Sequence, residues 1–187
     1  MSSTDAYTVP DAHTLATQIQ KLCISEKLTL STAESLTGGH LSSAITNVSG
    51  SSEYFKGGVT VYTNAIKMSI LGVKKETLDK YTEVSAETAT EMAVNVQKLY
   101  GSDISVSTTG FVTTPGTGET VKTAKKVTSL SATGPSCWVA VRIKDRTQTL
   151  HVYVEDVDRV KNKDSFVRIV LAFLYDRLVR MHEAEEA

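Results

Sequence analysis

Residues 28–39 read Leu-Thr-Leu-Ser-Thr-Ala-Glu-Ser-Leu-Thr-Gly-Gly, and this stretch changes backbone preference half-way along. Leu28 to Ala33 is a short strand-like run. Thr37-Gly38-Gly39 then breaks it, and Leu41, Ala44, Ile45 and Val48 follow at helical spacing. A serine at the end of a strand, followed by two glycines and a helix start, meets free backbone N–H groups and the positive end of a helix dipole. Such a turn suits a nucleophile with an oxyanion hole, or a phosphate-binding loop. Plain capping by Ser35 or Thr37 is the simpler alternative.

The same alternation of periods extends in both directions. Upstream, Leu15, Ile19, Leu22 and Cys23 mark one face of a helix beginning near Asp11. Downstream, Gly50-Ser51-Ser52 is a loop and Gly58 to Thr63 is a β-branched strand. Asn64 stands as N-cap to a helix carrying Ile66, Ile70 and Leu71, and Ser85 caps a helix over Ala86 to Tyr100. Ile104 to Thr109 is the next strand, and Trp138–Lys144 with Thr149–Val154 forms a hairpin around Lys144-Asp145-Arg146. A last helix starts near Asn162 or Asp164. The expected fold is α/β: a single three-layer α/β/α domain over residues 11–183 with a mixed sheet, after a flexible tail at 1–10. Thr113 to Ser136 has little periodicity and is expected to be a long loop.

Composition narrows the functional classes. The 187 residues carry 20 Lys+Arg and 21 Asp+Glu, a net charge of -1, which argues against a general polyanion binder. Cys23 and Cys137 form no CxxC pair, and the four histidines show no HxxxH or HxH spacing, so no sequence-local metal site and no cofactor is expected. No apolar run approaches the roughly 20 residues of a membrane span, and a cytoplasmic protein is the expectation. Ser and Thr together number 44, fifteen of them between Ser102 and Ser136. Their abundance means that context, rather than mere presence, must select a nucleophile.

A second candidate lies around Gly50-Ser51-Ser52, Tyr62 and Lys67. Lys67 falls in the first turn of its helix, where the dipole disfavours a cation. To act as a base near neutrality, its pKa must come down from ~10.4 toward 7–8, roughly 4 kcal/mol supplied by burial and positive potential. A solvated surface lysine is the ordinary alternative. Weaker signals are Gly116-Thr117-Gly118-Glu119-Thr120, which lacks the lysine of a phosphate loop, His40 beside Gly39, and the Lys122/Lys125/Lys126 cluster. Trp138 is expected in the core.

Taken together, TAESLTGG at Thr32–Gly39, GSSEYFKG from Gly50, and VTVYTNAIKMSILGV at Val59–Val73 resemble the CinA C-terminal domain family, the nicotinamide mononucleotide (NMN) deamidases. Val84-Ser85, Glu91-Met92-Ala93 and Thr109-Gly110 continue the resemblance. It implies a three-layer α/β fold and hydrolysis of the carboxamide of NMN, or of a related pyridine nucleotide, to the acid and ammonia by a metal-free Ser/Lys dyad. Lys67 would be the general base and Tyr62 a hydrogen-bonding assistant. Ser52 and Ser35 both match family positions, with a slight preference for Ser52 as nucleophile. Thr37, Gly38, Gly39, Ser51, Asn64, Thr109, Gly110 and Lys163 would line the substrate site. A nucleotide is the expected small-molecule partner, self-association is implied, and neither nucleic acid nor membrane is.

Two stretches depart from the family pattern. After Thr109-Gly110 the family carries Gly-Pro-x-Gly-Gly and Lys-Pro-Val-Gly-x-Val-Trp, of which Pro115-Gly116 and Trp138 remain. The family's Gly-Asp-Arg near the last helix is Lys161-Asn162-Lys163 in gapless register, and Arg159 substitutes only with an insertion. The alternatives to an amidohydrolase are therefore a non-catalytic nucleotide-binding or regulatory relative with a remodelled substrate loop, and, last, a generic phosphate-binding subunit.

Overall fold

The computed structural model describes residues 9–114 and 134–186. In chain order these form α1 (Ala12–Ser25), β1 (Leu30–Glu34), α2 (His40–Thr46), a 3₁₀ turn (Ser51–Glu53), β2 (Phe55–Thr60), α3 (Asn64–Leu71), α4 (Lys75–Tyr81), α5 (Ala86–Tyr100), β3 (Ile104–Phe111), β4 (Ser136–Ile143), β5 (Arg146–Tyr153) and α6 (Arg159–Glu186). The five strands form one sheet in the order β2-β1-β3-β4-β5. β1 runs parallel to both its neighbours, while β3, β4 and β5 alternate in direction. The α/β fold class with a mixed sheet and helices on both faces is thus observed.

Two apolar cores flank the sheet. On one face α1, α2 and α6 bury Leu15, Ile19, Ile45, Phe166 and Leu171 against Leu30, Ile104 and Val106. On the other face α5 packs across the sheet with Met92 and Val96 against Ala33 and Val61, and α3 and α4 close over it. Every residue of β1 is buried, as expected for a parallel strand covered on both sides.

The hydroxyl-rich composition has a structural use. Alternate residues of β3 face α5, and three of these carry hydroxyls: Ser105 donates to the Ala93 carbonyl (2.7 Å), Ser107 to the Ala89 carbonyl (2.5 Å) and Thr109 to the Glu83 carbonyl (2.5 Å). The strand period of two meets the helix spacing of four at Ala89 and Ala93, while Glu83 lies on the turn before α5. Small hydroxyl side chains satisfy themselves on helix carbonyls, and Ala89 and Ala93 let the helix come close.

Several boundaries differ from expectation. β2 begins at Phe55 and ends at Thr60 rather than spanning 58–63, because Gly57 and Gly58 are needed inside it. A Cβ on Gly58 would lie 2.1 Å from Thr32 Oγ1, and one on Gly57 2.8 Å from the Tyr100 ring. Thr63, not Asn64, caps α3, its hydroxyl accepting the Ile66 N–H. α4 was not foreseen, having no buried face of its own. α6 starts at Arg159, with Asp158 Oδ1 accepting the N–H groups of Val160 and Lys161. Asn162 instead turns inward, donating to the Val112 carbonyl and Asp156 and accepting from Val157 N–H. Trp138 is half-buried and stacks on His151 with ring centroids 4.2 Å apart. The expectations of a tail fall largely on residues 1–8, and those of a long loop, a Gly116–Thr120 motif and a lysine cluster on residues 115–133, outside the described residues. No helix among the described residues is long and apolar enough to cross a membrane.

At Gly110, β3 and β4 leave no room for a side chain: a Cβ there would stand 2.1 Å from the Ser136 carbonyl oxygen. Backbone cannot yield as a side chain can, so Gly110→Ala is expected to cost about 3 kcal/mol or more in denaturant unfolding, well beyond an ordinary small-to-large change.

Candidate active site

The site lies where the parallel strands end, the position at which open α/β sheets present loops to ligands. β1 closes with Glu34, whose side chain is 1% exposed. Its carboxylate accepts hydrogen bonds from the N–H groups of Gly39 (2.9 Å), Leu41 (3.0 Å) and Ser42 (2.8 Å) and from the Ser42 hydroxyl. These are amides at the start of α2 that have no partner within the helix, and the carboxylate supplies one. Gly38 and Gly39 take positive φ (60° and 97°) to bring the chain round to that carboxylate.

Between Glu34 and the glycines sits Ser35, 7% exposed, its N–H bound to the Thr108 carbonyl of β3 (2.9 Å). Thr37 bonds Thr108 hydroxyl to hydroxyl at 2.8 Å. On the other side, the chain leaving β2 enters α3 through the Thr63 cap, and the helix carries Lys67 inward until it is 1% exposed. Lys67 Nζ donates to Ser35 Oγ at 2.9 Å and to the Val61 carbonyl at 3.1 Å. Burial pulls the Lys67 pKa down to about 8, against the opposing pull of the Glu83 carboxylate. At pH 7 about one molecule in ten then carries a neutral amine, against roughly one in three thousand for an unperturbed lysine. A neutral amine in contact with a serine hydroxyl is a base and nucleophile arrangement.

The structure brings Ser35 to Lys67 and leaves Ser52 elsewhere, which corrects the preference for Ser52. Ser51 and Ser52 lie on the 3₁₀ turn preceding β2, with Ser52 exposed. Lys67 follows the far end of that strand, and six strand residues span roughly 20 Å. No hydrogen bond joins Ser52 to Lys67 among the described residues. The Gly38-Gly39 amides, expected to face a ligand, are engaged by the Ser35 carbonyl and Glu34. Thr109 is buried and turned toward α5, Gly110 makes room for β4, and Asn64 is an exposed first residue of α3.

Two cations on the first turns of α6 overhang the site. Lys163 Nζ comes within 3.2 Å of where a Gly38 Cβ would be. Arg159 donates to the Tyr62 hydroxyl at 2.7 Å, and the tyrosine itself is 55% exposed. Sequence reasoning set Arg159 aside because it falls outside the gapless register, and it gave no role to Glu34 or Glu83. For Glu34 a signal existed: a carboxylate at a strand end just before a glycine turn and a helix is placed to take the helix amides. No group of three or more His, Cys, Asp or Glu able to hold a metal occurs among the described residues.

Residues 12–178 match the family model described as the CinA C-terminal domain. Among sequence relatives, a putative competence-damage inducible protein of Bacillus subtilis is 50% identical over 100 residues, 54% of this chain and 24% of that protein. A CinA-like protein of Leptospira borgpetersenii is 36% identical over 163 residues, 87% of this chain and 36% of that protein. The chain therefore spans about a quarter to a third of the length of these curated relatives. Among solved structures, the competence damage-inducible protein A (ComA) of Klebsiella pneumoniae superposes with a TM-score of 0.80 at 25% identity, over 91% of this chain and 98% of that one. The competence/damage inducible protein CihA of Agrobacterium tumefaciens gives 0.75 at 30% identity, over 88% and 94%.

Holding an ammonium where its pKa is about 8 instead of 10.5 costs ~3 kcal/mol at neutral pH. Lys67→Met is accordingly expected to unfold about 2–3 kcal/mol harder than wild type at pH 6.5. Between about pH 8 and 10.5 the unfolded wild type retains a proton that the folded form has lost. Wild-type stability therefore rises with pH across this window and the variant's advantage shrinks, as denaturant melts at pH 6.5 and 10 would register.

Proposed function

The chain belongs to the CinA C-terminal domain family, and from that premise we propose that it is an amidohydrolase using Ser35 as nucleophile and Lys67 as base on the carboxamide of NMN or a related pyridine nucleotide. The observation that carries the reading is the 2.9 Å contact between Lys67 Nζ and Ser35 Oγ in a buried site with a lowered lysine pKa. NMN comes from the resemblance of TAESLTGG, GSS and the Tyr62–Lys67 segment to the deamidases.

The steps balance on these two side chains. Neutral Lys67 takes the Ser35 hydroxyl proton as Oγ attacks the carboxamide carbon. The resulting oxyanion falls to the amides just after the nucleophile, Leu36 and Thr37, in the manner of other serine turns. Protonated Lys67 then gives its proton to the departing nitrogen, releasing ammonia and leaving an ester on Ser35. Water, deprotonated by the same lysine, hydrolyses that ester to the acid. The metal-free dyad asks for no group beyond those present. Arg159 and Lys163 supply positive charge for the substrate phosphate, and Tyr62, held by Arg159, rims the site.

Ammonia release from NMN is the test. Ser35→Ala and Lys67→Ala should each lower kcat/KM by roughly 10³-fold or more, while Ser52→Ala should stay within about threefold of wild type. Full turnover by Ser35→Ala together with loss in Ser52→Ala would reverse the assignment. Saturable NMN binding with no ammonia from the wild type would instead favour the non-catalytic relative.

A further inference from the structure

We propose that Asn162 is a positioning residue: its buried amide, together with Asp156, sets the rotation of the first turns of α6 so that Arg159 and Lys163 stand over the site. The inference rests on the reading of Arg159 and Lys163 as the cations that receive the substrate phosphate. Neither belongs to β1 or α3, the elements that lead to Ser35 and carry Lys67. Their placement over the site therefore needs a device of its own.

Asn162 is 1% exposed, and both its amide hydrogens and its oxygen are engaged. Nδ2 donates to the Val112 carbonyl (2.9 Å) and to Asp156 Oδ1 (2.9 Å), while Oδ1 accepts the Val157 N–H (3.1 Å). Two acceptors on one side and a donor on the other leave the amide a single orientation. Asp156 carries the tie further, its Oδ2 accepting the N–H (3.1 Å) and the hydroxyl (2.5 Å) of Thr114. Val112 and Thr114 follow β3, the strand whose Thr108 carbonyl holds the Ser35 N–H. The chain leaving β3, the link from β5 and the start of α6 thus meet at one buried amide.

A helix turns about 100° per residue, so Arg159, Asn162 and Lys163 share an arc of about 100°. Fixing Asn162 against Val112 therefore fixes where the two cations point. Arg159 meets the Tyr62 hydroxyl at 2.7 Å, and Lys163 Nζ lies 3.2 Å from where a Gly38 Cβ would be. Other contacts of the helix start do not have this effect. Asp158 accepts the N–H groups of Val160 and Lys161 and pairs with the Lys161 ammonium, bonds internal to the helix start that leave its rotation free. Phe166 and Leu171 bury apolar surface farther along α6, and such burial has no direction.

The test is fluorine NMR of the full chain labelled with fluorotyrosine, the Tyr62 signal being identified by its loss in Tyr62→Phe. Arg159→Ala gives the position of that signal without the guanidinium. Asn162→Leu keeps the bulk and removes the hydrogen bonds, and it should move the signal most of the way to that position. Asp156→Ala, at an exposed residue, should move it in the same direction, and decides alone if Asn162→Leu does not fold. With NMN, both variants should raise KM about tenfold and keep kcat within about threefold of wild type. Nicotinamide riboside, which lacks the phosphate, should show no such rise in KM. A Tyr62 signal that stays at the wild-type position, or a loss in kcat with KM unchanged, would overturn the inference. The NMR arm needs no substrate. A moved signal in a protein that does not hydrolyse NMN therefore upholds the placing of Arg159 by Asn162 and refutes only the amidohydrolase reading.

Discussion

Lys67 is carried into the interior by the short helix α3 and meets there a serine hydroxyl and a single backbone carbonyl. An ammonium group so placed is costly, and the surrounding architecture is arranged around that cost. Thr63 and the Gly72 turn close the two ends of α3, so the helix presents Lys67 at one fixed height. β1 delivers Ser35 to it, and the Glu34 carboxylate locks the turn beyond by taking four hydrogen bonds. Remove that carboxylate and three amides lose their partner, with the turn that holds Ser35 as the first casualty.

The face of the sheet that carries α3 and α5 contributes the same kind of constraint through hydroxyls. Ser105, Ser107 and Thr109 tie β3 to the carbonyls of α5 and its preceding turn, which sets the distance at which α3 can pack and Lys67 can reach. The abundance of Ser and Thr, which conceals a nucleophile in the sequence, is in part the material of this interface. Its members bond to carbonyls of α5 and of the turn before it, and none of them is held against an amine as Ser35 is.

Much of the fold was legible because strong periodicity survives in the parallel core: β1, β3, α5 and the α1 start at Asp11 lie close to where alternation and caps put them. β2 was displaced because propensity disfavours Gly57 and Gly58, whereas packing against Tyr100, Thr32 and Ser42 requires them. α4 has no apolar stripe to read. At the candidate site, the motif singled out Ser35, Lys67 and Tyr62, but not which of Ser35 and Ser52 meets Lys67. That choice depends on which ends of two parallel strands coincide, a property of strand pairing that local sequence does not carry. Arg159 was hidden for the same reason: it lies far along the chain from Tyr62, to which it donates.

Activation of Ser35 by Lys67 can be read out by covalent labelling with a serine-directed fluorophosphonate and fragmentation of the tryptic peptide 28–56, which holds both Ser35 and Ser52. A single adduct is expected, on Ser35, and it should disappear in Lys67→Ala. An adduct on Ser52, or one on Ser35 that forms equally fast without the lysine, would contradict it.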